Sequence, residues 1–528
     1  MIKGFRQIAS LTALSRAFGF VRDMAYSHFF GANALLDAWT IAFKIPNLAR
    51  RLFGEGAASA SLIPVYSEQL HKDPEQAKQL VNTIVTTLFV LLAAIVLIGQ
   101  GLIWSYYKLF AQNAETRLVL SLTSIMLPYM LLVCMVAILA GILNVHRHFA
   151  APAAAPIILN IFIITSLLIT GWLLKIEPQQ QVFSVAVVVL LAGLMQIAIQ
   201  FPPLRANKVK IRPAWEIHSE PFKKIIILMG PMILGLTATQ LNTLADDLIA
   251  WWFSASIEKG EFFVMLGSKI AYPLQRGSVS HLYYAQRLYQ LPLGIFGISL
   301  ATAIFPVMSS YSAKKNLTAL AKTVSQGIRG AVFIAIPAAI GLIVIAKPLI
   351  SLAFQHGQFT AKDTDMVTWT LLFYTFGLFG YFTQQVVTRA FYSMQDSATP
   401  MKSALIAVFS NIILNLTLIW FLGTAGLAAA TAACSYLQIV ILIVVLRSRL
   451  GNSIFHHLLP ESIKTVLATL CMSITILAAM WISKDWHCIF KLLMIVPASA
   501  ATYLLAAKLL RIEMLSLLTG RKNPPPNI

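Results

Sequence analysis

Gln7-Ile-Ala-Ser-Leu-Thr-Ala-Leu-Ser-Arg-Ala-Phe-Gly-Phe-Val-Arg-Asp-Met-Ala-Tyr-Ser-His-Phe-Phe30 reads as one helix long enough to cross a bilayer, yet it holds Arg16, Arg22 and Asp23. A guanidinium near the bilayer centre costs at least about 2.5–3.5 kcal/mol. Such a residue persists where it lines a polar cavity or has a partner. Arg16 and Asp23 share a helical face, about 20° out of register, and Arg22 lies about 100° around from Asp23. A buried pair with Asp23 accounts for one arginine and leaves the other unexplained. The next apolar run carries Asp37, Lys44, Arg50 and Arg51, and a later one carries Arg287. Several arginines converging on one cavity point to an anionic ligand. The planar guanidinium fork favours phosphate.

Working outward, the whole chain has the same character. Of 528 residues, 58% are hydrophobic and 11% charged, with a mean hydropathy of +0.76. That balance defines an all-α polytopic membrane protein. Apolar windows give about fourteen transmembrane helices, assembled as two parallel six-helix lobes around a central cavity plus two C-terminal helices. The second and eighth windows, 34–66 and 279–311, exceed what a membrane needs. Pro46 and Pro292 are the expected break points.

The net charge of +20 would suggest nucleic acid in a soluble protein. Here it follows the positive-inside rule. Lys and Arg in one set of alternate loops, with both tails, outnumber those in the other set by about two to one. The expected orientation puts both termini in the cytoplasm. The N-terminal run, with Arg16 and no convincing cleavage site, does not read as a cleavable signal peptide. Cys134, Cys434, Cys471 and Cys488 show no metal spacing and read as packing residues.

The chain repeats itself. Thr302-Ala-Ile-Phe-Pro-Val-Met-Ser309 echoes Ala60-Ser-Leu-Ile-Pro-Val-Tyr-Ser67. The stretch from Tyr392 to Pro400 echoes that from Asn144 to Pro152. Both pairs lie six helices apart, an even offset that preserves orientation. The expected lobes are residues 1–215 and 216–450. Residues 255–278 form an external insertion (an interfacial helix or a lid), and 451–528 hold the last two helices and the tail.

Other polar residues sit at membrane depth. Gly54-Glu-Gly-Ala-Ala-Ser59 would allow close helix contact or local unwinding. Tyr283 and Tyr284 read as an aromatic belt or as sugar-stacking platforms. Asp246 and Asp247 are adjacent carboxylates that repel unless one is protonated or a cation is bound. Together with Asn411, Asn415 and Thr431, Asp246 could furnish oxygen ligands for a monovalent cation. The same residues read equally as polar helix glue. Asp363 and Asp365 are the only carboxylates placed for an external catalytic site.

In combination the motifs resemble the MurJ (MviN) family of lipid II flippases, in the multidrug/oligosaccharidyl-lipid/polysaccharide (MOP) exporter superfamily. The resemblance rests on Ser15-Arg-Ala-Phe-Gly-Phe-Val-Arg-Asp23, on Phe43-Lys-Ile-Pro-Asn-Leu-Ala-Arg-Arg51 with Asp37, and on Gly54–Ser59. Tyr284-Ala-Gln-Arg-Leu288, Phe354-Gln-His-Gly-Gln-Phe-Thr360 and Phe391-Tyr-Ser-Met-Gln-Asp-Ser-Ala-Thr-Pro400 extend it. The resemblance implies a cationic cavity in which Arg16, Arg22, Arg50 and Arg287 contact the substrate, with Asp23, Asp37 and Glu55 among the site residues. It also implies a lipid-tail groove formed by the last two helices. Gln286 departs from the acidic residue that many members carry there, and the 255–278 loop is longer than usual.

The implied function is a flippase moving lipid II, the undecaprenyl-pyrophosphate-linked peptidoglycan precursor, to the periplasmic leaflet by alternating access. The expected partners are lipid II, membrane lipids and cell-wall synthesis proteins, with no nucleic acid. No cofactor is expected, and the drive is the membrane potential or Na+ or H+ coupling. The rival readings are a flippase for another polyprenyl-linked oligosaccharide, a membrane glycosyltransferase or peptidoglycan polymerase, and a drug or cation antiporter.

Overall fold

A computed structural model describes residues 2–111, 113–256, 259–265 and 267–518. The tail beyond 518, with Arg521 and Lys522, lies outside the described residues. Contacts divide the chain into two compact units. The first holds residues 1–280 with 356–359, and the second holds 281–355 with 360–528.

The helices of the first unit are α1 (Ile2–Phe30), α2 (Ala34–Ala49), α3 (Ala57–Lys72), α4 (Pro74–Leu109), α5 (Ala114–Val145), α6 (Ala150–Leu168), α7 (Pro178–Ala198), α8 (Phe201–Ala206) and α9 (Glu220–Trp252). The start of α10 (Ser278–Pro292) also belongs to it. Asp73 accepts from the amides of Glu75 and Gln76 and so caps α4, with Pro74 in the first turn. Helix α5 is the spine of this unit. Its Leu122, Met126, Val133, Ile138 and Ile142 are all buried. Helix α9 joins the first unit rather than the second, as ion pairs from α2 and α3 to α9 explain. Lys224 and Lys72 both bond the Glu68 carboxylate, at 2.8 and 2.6 Å.

Those two hydrogen bonds, Lys224 first, lower the Glu68 carboxyl to about 2. A depressed carboxylate adds stability above its unfolded value, near 4.3, that is lost as pH falls toward 2. Glu68→Gln should therefore flatten the acid limb of a thermal-unfolding pH profile slightly, because the pair is exposed. An identical acid limb in the variant would remove Glu68 from that account.

The second unit continues through α11 (Ile298–Ala313), α12 (Leu317–Phe354), α13 (Ala361–Phe376), α14 (Leu378–Ser393), α15 (Ala398–Leu422), α16 (Thr424–Leu450), α17 (Leu458–Ile482), α18 (Cys488–Leu509) and α19 (Glu513–Leu518). Val324, Ile328, Val386, Phe391 and Leu446 form one buried cluster. A second cluster packs Phe333 of α12 against Met472, Ile476, Tyr503 and Ala507. The Tyr503 hydroxyl donates to the Phe333 carbonyl at 2.6 Å. That bond meets the polar demand of a tyrosine kept from water.

Both long windows are broken by a π-helical stretch. Pro46 lies inside α2, and a π-helical stretch Arg50–Gly56 follows before α3. Pro292 ends α10, and a π-helical stretch Leu293–Gly297 follows before α11. The break thus recurs at the equivalent place in the sequence repeat.

Among the described residues ten helices are long and apolar enough to cross a membrane, or eleven when α13 and α14, bent by 40°, count as one. The expected fourteen also include α1, α2 with α3, and α9. In the insertion the strand Phe262–Met265 pairs antiparallel with Ser268–Ala271, in place of a helix. Cys134 and Cys434 are buried, but Cys471 is exposed on α17, so packing does not explain that thiol.

Candidate functional site

The cations of the first unit differ sharply in their surroundings. Arg22 is buried and bonds Asp23 through Nε at 3.1 Å and Nη2 at 2.7 Å. Its Nη1 donates to Asn160 of α6 at 3.0 Å, and its guanidinium lies 5.6 Å from the Tyr26 ring centroid. Asn160 in turn donates to the Ser15 carbonyl at 3.3 Å. Arg22 and Asp23 therefore neutralise each other inside the protein. The Arg22 bond to Asn160 holds α1 on α6. Arg16 is exposed, one to two turns earlier, and makes no hydrogen bond or ion pair among the described residues. It is the arginine of α1 that stays available.

Asp37 is also spoken for. It is 3% exposed, and its carboxylate accepts from the amides of Gly277 at 2.9 Å and Ser280 at 2.7 Å. The Ser280 hydroxyl adds a third bond at 2.5 Å. The anion thus sits at the exposed amides that open α10, where a helix N-terminus favours negative charge. Gly277 is required there. Its φ is +83°, and a Cβ would lie 2.2 Å from the Ala32 carbonyl oxygen. These three bonds anchor α2 to the start of α10. Asp37→Ala should lower stability by about 2–3 kcal/mol, read as a lower thermal midpoint of the detergent-purified protein. An unchanged midpoint would show that these bonds contribute nothing net.

The Gln355–Thr360 motif has a similar task. Gln358 donates its amide to the His28 carbonyl at 3.0 Å. Gly357, at φ +60°, approaches so closely that a Cβ would lie 2.2 Å from the same oxygen.

Lys44 of α2 bonds the Asp247 carboxylate and, at 2.8 Å, the Thr243 carbonyl. This pair resolves the adjacent acids, because Lys44 supplies the charge that the sequence reading left to a proton or a cation. Asp246 is buried beside it. Arg50 opens the π-helical stretch and donates to Asn47 at 3.3 Å. Arg51 points elsewhere and bonds Gln240 at 3.0 Å. The side chain of Glu55 lies outside the described residues.

In the second unit Arg287 is exposed, 4.7 Å from the Tyr283 ring centroid, with a 3.3 Å bond to its hydroxyl. Tyr283 therefore braces the arginine. Tyr284 is fully buried against Phe354 and is a core residue, not a sugar platform. Gln286 donates to Tyr374 at 3.0 Å. Two arginines escaped notice in sequence. Arg389 on α14 bonds Thr302 at 2.6 Å, and buried Arg329 on α12 pairs with Glu513. Each is a cation inside an apolar run, the same signal that singled out Arg16.

Asn415 donates to Asn411 at 2.8 Å, and Asn411 to Thr431 at 3.4 Å. The second bond ties α15 to α16 as polar glue. Asp246 belongs to the first unit and these three residues to the second. Among the described residues no group of three or more His, Cys, Asp or Glu is placed to hold a metal ion. Asp363 completes the capping box of α13 and bonds His281 at 3.1 Å, while Asp365 pairs with Lys347 at 2.7 Å. Both carboxylates are occupied by structural partners.

Comparison with solved structures defines the fold. A multidrug resistance MATE family transporter of the MOP superfamily, inward-facing, matches at TM-score 0.62 and 13% identity, covering 85% of this chain and 98% of its own. A lipid II flippase MurJ in an inward closed conformation matches at TM-score 0.76 and 24% identity, covering 96% and 99%. The chain therefore has the fold shared by these MOP superfamily proteins.

The family model described as lipid II flippase MurJ matches residues 26–497. A probable lipid II flippase MurJ of Vibrio cholerae serotype O1 is 34% identical, over 82% of this chain and 81% of that protein. Another, from Buchnera aphidicola subsp. Schizaphis graminum, is 29% identical over 98% of each. The chain belongs to the lipid II flippase MurJ family. The stretch matched by the family model begins at Tyr26, after Arg16, so Arg16 rests on its own chemistry.

Proposed function

We propose that this chain moves lipid II from the cytoplasmic to the periplasmic leaflet of the bacterial inner membrane. Family membership across residues 26–497 is the observation that carries this reading. Arg16, Arg50 and Arg287 take the pyrophosphate, which suits the guanidinium fork and removes the main obstacle, desolvation of an anion. The exposure of Arg16 and Arg287, and the bracing of Arg287 by Tyr283, support that assignment. The tail stays in lipid along α17 and α18, whose Leu470, Ile474 and Leu477 are more than half exposed.

The carrier alternates between inward-open and outward-open states, with both termini cytoplasmic. Moving negative charge outward is favoured by about 2.3 kcal/mol per charge per 100 mV. Na+ or H+ coupling through Asp246 is the second drive we propose. Asp246→Asn with unchanged transport in sodium and pH series would remove it.

The test is depletion with complementation in a walled bacterium. Cells that lose the protein should accumulate lipid-linked precursor on the inner face, and the chain should clear it. Precursor that reaches the outer face but is not polymerised would overturn the transport reading. Replacing the peptidoglycan precursor by another polyprenyl-linked sugar in proteoliposomes separates the two flippase readings.

A further inference from the structure

A cavity of about 80 Å3 lies within the first unit, away from α1 and the π-helical stretch, and the proposed transport reaction leaves it unused. Lys78, Lys208 and Lys210 line it, with His146 and Tyr66. One water needs roughly 10–15 Å3 of such volume, so the space admits a group the size of a phosphate. Leu70, Val81 and Val209 supply an apolar wall beside the cations.

The site is built rather than left over. Tyr66 is 2% exposed, and its hydroxyl meets His146 Nε2 at 2.8 Å. Lys208 adopts a left-handed backbone, φ +58°, which turns the chain so that Val209 inserts and the flanking lysines stay at the rim. The segment beyond is pinned to α4. The amides of Arg212, Ala214 and Glu216 donate to Asn82, Thr86 and Thr83 at 3.0, 3.2 and 3.3 Å. Lys78 pairs with Glu75 at 2.5 Å. Lys208 and Lys210 have no ion pair among the described residues. Burial lowers the His146 imidazole below its ordinary value, so it serves as a neutral donor or acceptor. Lys208 and Lys210 leave positive charge at the cavity that no carboxylate among the described residues pairs, and an anion there would offset it.

We propose that this pocket binds a phosphate group at the membrane surface, separately from the transported headgroup. It lies at the end of the spans that carries the basic loops. Basic pockets between helices on that face of a membrane protein take anionic headgroups. The phosphate comes from an anionic phospholipid, whose glycerol would lie on Leu70 and Val81, or from a soluble phosphate compound.

Native mass spectrometry of the full chain in detergent tests this, with phosphatidylglycerol, phosphatidylcholine and inorganic phosphate as probes. The wild-type protein should retain phosphatidylglycerol over phosphatidylcholine, or bind inorganic phosphate. Lys78→Ala with Lys208→Ala and Lys210→Ala should weaken that binding by about 10- to 100-fold. The three Lys→Arg replacements should preserve it, and guard against loss through misfolding. Lys314→Ala with Lys315→Ala, in another basic loop, should leave it unchanged. Preference for the lipid alone assigns the source to the bilayer, and displacement by millimolar phosphate assigns it to solution. Equal binding in the triple alanine variant, or no anion preference in the wild type, overturns the proposal.

Discussion

Arg16→Ala should insert and accumulate as the parent does, yet fail to support wall synthesis when the resident flippase is depleted. The expectation follows from what surrounds each cation of α1. Arg22 already has Asp23, Asn160 and Tyr26 as partners, so its removal disturbs packing. Arg16 is exposed and makes no hydrogen bond or ion pair among the described residues, so its removal leaves no buried charge behind. One charge-assisted contact to phosphate is worth about 1.5–3 kcal/mol, or roughly 10- to 150-fold in headgroup affinity. Arg16→Lys should recover part of that, because an ammonium keeps the charge but loses the bidentate geometry. Arg287→Ala should behave likewise. Arg22→Ala should instead lower protein yield. The measurement is inner-leaflet precursor together with membrane abundance of each variant. Normal growth on Arg16→Ala and Arg287→Ala together would sink the assignment.

Asp247→Ala should be the most destabilising single change, by about 3 kcal/mol or more. It strands Lys44 inside the protein with only the Thr243 carbonyl as partner. The Lys44 side chain is 23% exposed, which places the effect at the low end of the range for buried pairs. Lys44→Met with Asp247→Leu should recover most of the loss, because two apolar groups of similar volume need no counterion. A double-mutant cycle read by thermal unfolding isolates the pair. Additive effects would mean that Lys44 and Asp247 act independently. Should the double variant be stable but inactive, the pair serves transport as well as folding.

Much of this protein was legible in the chain. Apolar windows declared a membrane protein, and Arg16 and Arg287 stood out because a cation there is costly. Pro292 marked where a helix breaks, whereas α2 runs on through Pro46 and its π-helical stretch opens four residues later, at Arg50. Arg329 and Arg389 carried the same signal as Arg16, and Glu513 and Thr302 turned out to hold them. The reading of Asp37 needed the fold. Its partner Gly277 lies 240 residues away, and nothing local distinguishes an anchoring carboxylate from a binding one.

Class, repeat and the presence of embedded cations were determined by the chain alone, because transfer of side chains into oil is a local and roughly additive quantity. Tertiary structure decided which charges are already spent. Arg22 finds Asp23 beside it, whereas Lys44 finds Asp247 across 203 residues. Neutralisation requires contact at about 3 Å, and only packing of distant helices creates that contact.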